Sequence, residues 1–148
     1  MSKTFKVSSI QNGTVIDHIY CGRALQILRL LKLAQHKKQV SLGLNLESKS
    51  LGSKDLIKVE DKELSPDEVK QIAVFSPNIT LNIIENHKVK KKILLSSPEF
   101  IRDFLYCPNS NCITSSESIK SSFEVLIRQK SSNLRCCYCE KVFSLEKI

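Results

Sequence analysis

Six cysteines in a chain of 148 residues are the side chains most able to do chemistry, and four of them form two close pairs. Cys107-Pro-Asn-Ser-Asn-Cys112 has a four-residue spacer, Cys136-Cys-Tyr-Cys139 contains a two-residue spacer, and 23 residues separate the pairs. Two such pairs let two loops grip one ion from opposite sides. Four thiolates fill a tetrahedral zinc site and leave no open position for water, which excludes hydrolytic metal chemistry. His18, His36 and His87 all lie far upstream, so no fifth ligand stands near. Cys136, Cys137 and Cys139 cannot all join Cys107 and Cys112. A two-residue spacer forms the usual tight knuckle, which favours Cys136 and Cys139 and leaves Cys137 a spare thiol. Cys21, near the first predicted helix, reads as a packing residue.

Charge gives the second signal. The net charge is +8, and all but one of those positive charges belongs to residues 1–98. Such a field favours an anionic partner, phosphates or nucleic acid, although a solvated lysine-rich surface would have the same composition. The cluster Lys88, Lys90, Lys91 and Lys92 also suits the protection of an edge strand. No run approaches the roughly 18 apolar residues of a membrane span. Met1 to Lys6 lacks the apolar core of a signal peptide. The expected location is cytoplasmic, where thiols stay reduced and cysteines serve metals rather than disulfides.

The elements that must position these groups follow from periodicity. Phe5, Val7 and Ser9 alternate with Lys6, Ser8 and Ile10 as a first strand, and Asn12-Gly13 signals a turn. Arg23 to Ala34 has helical spacing, with Leu25, Leu30 and Leu33 widening its apolar surface towards a second subunit. Val40 to Leu46 and Asp55 to Val59 read as strands, with a loop from Ser48 to Lys54. Ser65-Pro66-Asp67-Glu68 is a helix start with a capping box, and Val69, Ile72 and Ala73 form the buried stripe. Ile79 to Ile83 and Val89 to Leu95 read as strands around a turn at Asn86. The order β-α-β-β-α-β plus one strand predicts an α+β fold. Its N-terminal part is a ferredoxin-like split-βαβ sandwich, an antiparallel sheet with two helices on one face.

Ser96-Ser97-Pro98 breaks the composition and divides the chain into domains at 1–98 and 99–148. The second domain predicts strands at Phe123 to Ile127 and Val142 to Leu145, a small all-β, zinc-ribbon-like unit. With so few apolar side chains it depends on its ion, which supplies about 10 kcal/mol or more of folding free energy.

Five blocks resemble the regulatory chain of aspartate carbamoyltransferase, in order and at matching spacing over nearly the whole chain. They are Gly13-Thr-Val-Ile-Asp-His-Ile19, then Leu42-Gly-Leu-Asn-Leu46 with Lys54 to Glu60, then Ala73 to Ile84, then Cys107 to Cys112, and last Cys136 to Phe143. The resemblance implies a non-catalytic subunit of pyrimidine biosynthesis. Its first domain would bind CTP or ATP as allosteric effectors, with UTP and Mg²⁺ assisting in some members. Its second would bind zinc and dock on the catalytic chain. The implied assembly has two catalytic trimers joined by three regulatory dimers.

By the same resemblance, Lys92, His18 and Asn82 face the phosphates, and Lys58 and Asp17 work near ribose and base. Ser9, Ile10, Val15, Ile84, His87 and Val89 line the base pocket, partly through backbone groups. At His87 the family often has tyrosine. Asn109, Asn111, Glu140 and Lys141 sit at the contact with the catalytic chain, where Asn109 and Ser110 can also cap the knuckle's own amides.

Two rivals use some of the same features. A zinc-ribbon nucleic-acid-binding protein would share the cysteines and the charge. Yet the zinc segment is nearly neutral, and the chain has 6% aromatic residues and no Trp for base stacking. No nucleic-acid or membrane partner is therefore expected. A free-standing enzyme would need a site, and the 4 glycines include no P-loop, dinucleotide turn or nucleophile elbow.

Overall fold

Gly13-Thr-Val-Ile-Asp-His-Ile19 forms the central strand of the first sheet, β1. β-Branched residues at Thr14, Val15, Ile16 and Ile19 favour an extended, half-buried backbone. The computed structural model describes residues 9–128 and 131–145. Of the first strand expected from periodicity, Phe5 to Ser8 lies outside the described residues, and Ser9 and Ile10 are not in a strand. Asn12-Gly13, read as a turn, is instead the entry to β1. Gly13 has φ +142 and pairs with Glu60 on one side and Ile84 on the other.

The chain continues through α1 (Ala24–Leu30), β2 (Val40–Ser48), β3 (Gly52–Glu60), α2 (Pro66–Phe75), β4 (Thr80–Glu85) and β5 (Lys88–Leu94). The strands lie in the order β2-β3-β1-β4-β5, and each neighbouring pair is antiparallel. This is the expected split-βαβ arrangement with β5 added at one edge. Ile16, Ile57, Val59 and Leu81 are buried with Ala24 and Ile27 of α1 and Ile72 and Ala73 of α2. Each fully buried aliphatic side chain of this kind contributes about 1.5–3 kcal/mol. Successive strand residues point to opposite faces. Val15 therefore turns away from the helices, into a second cluster with Ile10 and Leu56.

The helices differ in how they start. Ser65 and Glu68 form the predicted capping box, with the Glu68 amide donating to Ser65 Oγ at 3.2 Å and the Ser65 amide to Glu68 Oε1 at 3.0 Å. Arg23 precedes α1 with no side-chain cap. Its role falls to Asp55 of β3, a buried carboxylate that accepts from the Gly22 and Ala24 amides. The helix expected to reach Ala34 ends at Leu30. Lys32 turns left-handed, φ 53, so that a short 3-10 turn brings Leu33 into the core. The loop expected at Ser48 to Lys54 is a tighter hairpin, in which Ser48 pairs with Gly52.

The second sheet holds β6 (Phe100–Arg102), β7 (Ser122–Arg128), β8 (Ser131–Cys136) and β9 (Val142–Ser144) in that order, all antiparallel. A one-turn helix, α3 (Ile113–Ser116), follows the first cysteine pair. β8 reads as polar in sequence, but pairing with β7 places Phe123 opposite Cys136 and Val125 opposite Leu134. Phe123, Leu134, Cys136 and Leu145 are fully buried and join the apolar cluster of the first sheet. Among the described residues no helix is long and apolar enough to cross a membrane.

A Cβ at Gly13 would collide with the Val59 carbonyl oxygen, whereas one at Gly52, φ +79, would meet nothing within 4 Å among the described residues. Gly13→Ala is expected to destabilise the fold by more than about 2 kcal/mol, and Gly52→Ala by only about 1 kcal/mol. Chemical denaturation of the two variants reads the difference, and equal losses would contradict it.

Candidate metal centre and effector face

A loop and a hairpin turn deliver the cysteines. Cys107 and Cys112 flank a loop ahead of α3, and Cys136 ends β8 as the chain turns towards β9. The sulfur atoms of Cys107, Cys112, Cys136 and Cys139 all lie within 4.8 Å of one another. Cys107 and Cys139 are 3.7 Å apart, and Cys112 and Cys136 are 3.8 Å apart. A regular tetrahedron about an ion bound at about 2.3 Å from sulfur has edges of about 3.8 Å. The sulfur atoms thus stand close to the positions that one tetrahedral ion requires, and the donor set fits a closed structural metal site.

Backbone hydrogen bonds set this geometry. The Cys112 amide donates to the Asn109 carbonyl at 3.0 Å, and the Glu140 amide donates to the Cys136 carbonyl at 2.9 Å. Glu140 adopts φ 63, which closes the second turn. The environment divides the thiols. Burial pushes Cys107 up, to about 12, and also raises Cys136. The Thr114 hydroxyl and amide hold Cys112 down, to about 7. Burial opposes ionisation at Cys139, but the Lys141 amide and the Asn109 side chain outweigh it, so this thiol is lowered. Cys137, the spare thiol of the sequence, is exposed and accepts from Ser122 Oγ at 3.4 Å. Cys21, read as a packing residue, is exposed.

The candidate contact residues surround this knuckle. Asn109 caps it: Oδ1 accepts from the Asn111 amide, and the carbonyl accepts from Ser115 Oγ. Asn111, Glu140 and Lys141 are exposed. Beside them Ile113, Tyr138 and Val142 also face solvent, an apolar complement that residue-by-residue reading did not single out.

On the first sheet, register brings four of the candidate effector residues, Lys58, Val15, Asn82 and Lys92, into a row. Lys58 on β3 is opposite Val15 on β1, Val15 is opposite Asn82 on β4, and Asn82 is opposite Lys92 on β5. Cross-strand partners project from the same face. Lys58, Asn82 and Lys92 therefore share the face turned away from the helices. The row spans three strand spacings, about 14 Å. Burial lowers the Lys58 ammonium, and Asp17 opposes that effect.

Along the strand direction, the two ends of this face differ in character. At one end Ile10 and Val15 are buried with Leu56, and Ile84 packs against them. Val89 lies opposite Ile84, and His87 sits in the β4–β5 turn, where its amide donates to the Gln11 carbonyl at 2.9 Å. Asn86 and His87 have φ 52 and 64, the left-handed pair of a two-residue hairpin turn. Ser9 is exposed just before Ile10. At the other end Asp17 lies opposite Thr80, and His18, φ 58, brings Nδ1 to 3.2 Å from Thr80 Oγ1. Lys54 Nζ meets Asp17 Oδ1 at 2.8 Å. Lys54 and Thr80 were missed in the sequence. Had β3 been extended back to Gly52, strand alternation would have placed Lys54 with Leu56 and Lys58.

Comparison with known proteins now gives a family. A model described as "Aspartate carbamoyltransferase regulatory chain, allosteric domain" matches residues 5–96, and one described as "Aspartate carbamoyltransferase regulatory chain, metal binding domain" matches residues 99–148. Similar curated proteins carry the name aspartate carbamoyltransferase regulatory chain. One from Aliivibrio fischeri is 45% identical over 97% of this chain and 93% of its own length. One from Chromobacterium violaceum is 45% identical over 97% and 95%. One from Photobacterium profundum is 45% identical over 95% and 92%.

The thiol environments predict a direction for pH. Metal binding displaces at least the Cys107 proton near neutrality, so acid competes with the ion. Affinity measured by chelator competition is expected to fall at least about tenfold for each pH unit from 8 to 6. Affinity that does not change over that range would contradict four-thiolate ligation.

Proposed function

The chain belongs to the aspartate carbamoyltransferase regulatory chain family, and from that premise we propose that it senses CTP and ATP on its first sheet and transmits their binding to catalytic chains through a zinc-held second unit. It is a non-catalytic regulatory subunit, with an allosteric domain and a metal-binding domain, and its partner is a catalytic chain. The domain boundary at 98 and the place in pyrimidine biosynthesis are part of the proposal.

The observation that carries the effector reading is the row of Lys58, Asn82 and Lys92 across one open sheet face. A triphosphate needs cationic donors at fixed spacing, and strands supply them without the ordering cost of loops. Lys92 and His18 would take phosphates with Asn82. Lys58 and Asp17 would serve the ribose and base end, near Ile10, Val15, Ile84, Val89 and the backbone of Ser9 and His87. UTP with Mg²⁺ would extend the site in the direction of Lys54.

Zinc is the ion proposed for the four thiolates, because a closed, all-sulfur set with two edges of 3.7 and 3.8 Å and the rest within 4.8 Å suits it. The rigid knuckle would present Asn109, Asn111, Glu140 and Lys141 to the catalytic chain. A second copy of the chain would cover the other exposed apolar surface. Among the described residues β2 is a sheet edge, and Leu42 and Leu44 on it, with Leu25 on α1, are exposed. Pairing at that edge would form the regulatory dimer. Reduced thiols and metal ligation fit a cytoplasmic protein.

The proposed mechanism is a population shift. An effector biases the catalytic chains by binding the regulatory chain differently in their low- and high-activity arrangements. A coupling of about 1–3 kcal/mol changes that balance some five- to 150-fold.

Three substitutions should separate the two roles. Lys58→Ala or Lys92→Ala is expected to spare assembly with catalytic chains and to weaken CTP binding about tenfold. Cys139→Ser is expected to abolish assembly while nucleotide binding to the first sheet partly survives. Calorimetry and sedimentation read both outcomes, and a lysine variant with unchanged CTP affinity would sink the effector reading.

A further inference from the structure

The first turn of α1 bonds to the first sheet and to the residue that follows β9. Gln26 Nε2 donates to the Leu145 carbonyl at 3.2 Å, across 119 positions of sequence. The other end of the same amide is also engaged, because Arg23 Nη1 donates to Gln26 Oε1 at 3.2 Å. With oxygen accepting and nitrogen donating, one orientation of the amide satisfies both partners. Arg23 is buried. Leu145 is fully buried and directly follows β9, which pairs with the strand that ends in Cys136.

The same turn is seated on the first sheet by Asp55. One oxygen of that carboxylate takes the Gly22 amide at 3.1 Å and the Ala24 amide at 3.4 Å, and the other takes the Asn45 amide at 3.1 Å. Asp55 is 1% exposed, so these bonds are shielded from water and costly to leave unmade. Its chain neighbour Lys54 holds Asp17 at 2.8 Å, and Asp17 also accepts from the His18 amide at 2.7 Å. Asp17 and His18 occupy the irregularity of β1 between Ile16 and Ile19, after which Ile19 pairs with Asp55. Two adjacent residues of β3 therefore hold the polar end of the effector face and the seat of α1.

We propose that Gln26 is a positioning residue that couples the two sheets, with α1 as the lever between the Asp17–Lys54 contact and the metal knuckle. An anion that draws Lys54 or His18 away from Asp17 loosens the β1 irregularity. The seat at Asp55 then shifts, α1 moves with it, and Gln26 carries the displacement to Leu145 and β9. The trigger rests on the effector reading given above, but the Gln26 link does not.

The test uses the full, metal-loaded chain and Gln26→Glu, which keeps the acceptor for Arg23 and loses the donor to Leu145. Amide hydrogen exchange is read with the chain free and assembled on catalytic chains. In the unaltered chain, assembly is expected to slow exchange in Leu25–Leu30 by about threefold or more. In the variant that slowing should vanish, while the Ala24 and Asn45 amides stay as protected as before, which shows an intact seat. A variant whose α1 responds to assembly as the unaltered chain does overturns the proposal. CTP is then added to the assembled chain. A change in Gly22–Ala24 that reaches β9 only when Gln26 is present supports the whole lever. If CTP changes neither segment while the assembly result holds, the effector reading falls and the Gln26 coupling stands.

Discussion

Four sulfur atoms held within 4.8 Å of one another cannot all carry charge unless a cation lies among them. Two thiolates at such a separation repel by about 4 kcal/mol at an effective dielectric near 20. Burial adds to the difficulty at Cys107 and Cys136. A central dication reverses the sign of the problem and turns four mutually repelling groups into one cross-link. That cross-link ties the loop ahead of α3 to the turn after β8. Cys112 and Cys136 also belong to the apolar cluster that includes Ile101, Phe123, Leu134 and Leu145 and runs on beneath α1 and α2. An ion bound there would therefore be part of the core on which the second sheet depends, rather than an ornament at its edge.

The first sheet works as a plate with two unlike faces. Ile16, Ile57 and Leu81 hold the helices on one side. Val15, Lys58, Asn82 and Lys92 look out on the other. Consecutive residues such as Val15 and Ile16 thus serve different faces, one the side away from the helices and one the core. The rigidity of the helix side fixes the spacing of the cations on the open side. β1 is the strand both sides share, and its irregularity at Asp17 and His18 lies just before Ile19, which pairs with Asp55, the residue that accepts the Gly22 and Ala24 amides at the start of α1.

Much of this was legible in the sequence, and the gaps have physical causes. The capping box at Ser65 and Glu68, the turn at Asn86 and the cysteine pairs are local signals, and each stands where spacing put it. β1 was not read as a strand because Gly13 looks like a turn residue, and only the tertiary approach of Val59 explains why glycine is needed there. β8 escaped because Ser131, Ser132 and Asn133 carry no hydrophobic alternation, and its partner strand determines it. The Asp55 cap on α1 joins residues about 30 positions apart, and no local rule finds such a pair. Nor could spacing alone show Gln26 meeting Leu145. The candidate effector residues came from resemblance, and register gives Val15, Lys58, Asn82 and Lys92 among them a common face.

The central claim is that one ion locks the second unit into the shape that grips the catalytic chain. Native mass spectrometry of the complex during stepwise chelation measures metal content and bound catalytic chain together. One zinc per regulatory chain at the start, and loss of catalytic chain in step with loss of zinc, is the predicted result. A chain stripped of its metal that still holds its catalytic partner would contradict the account.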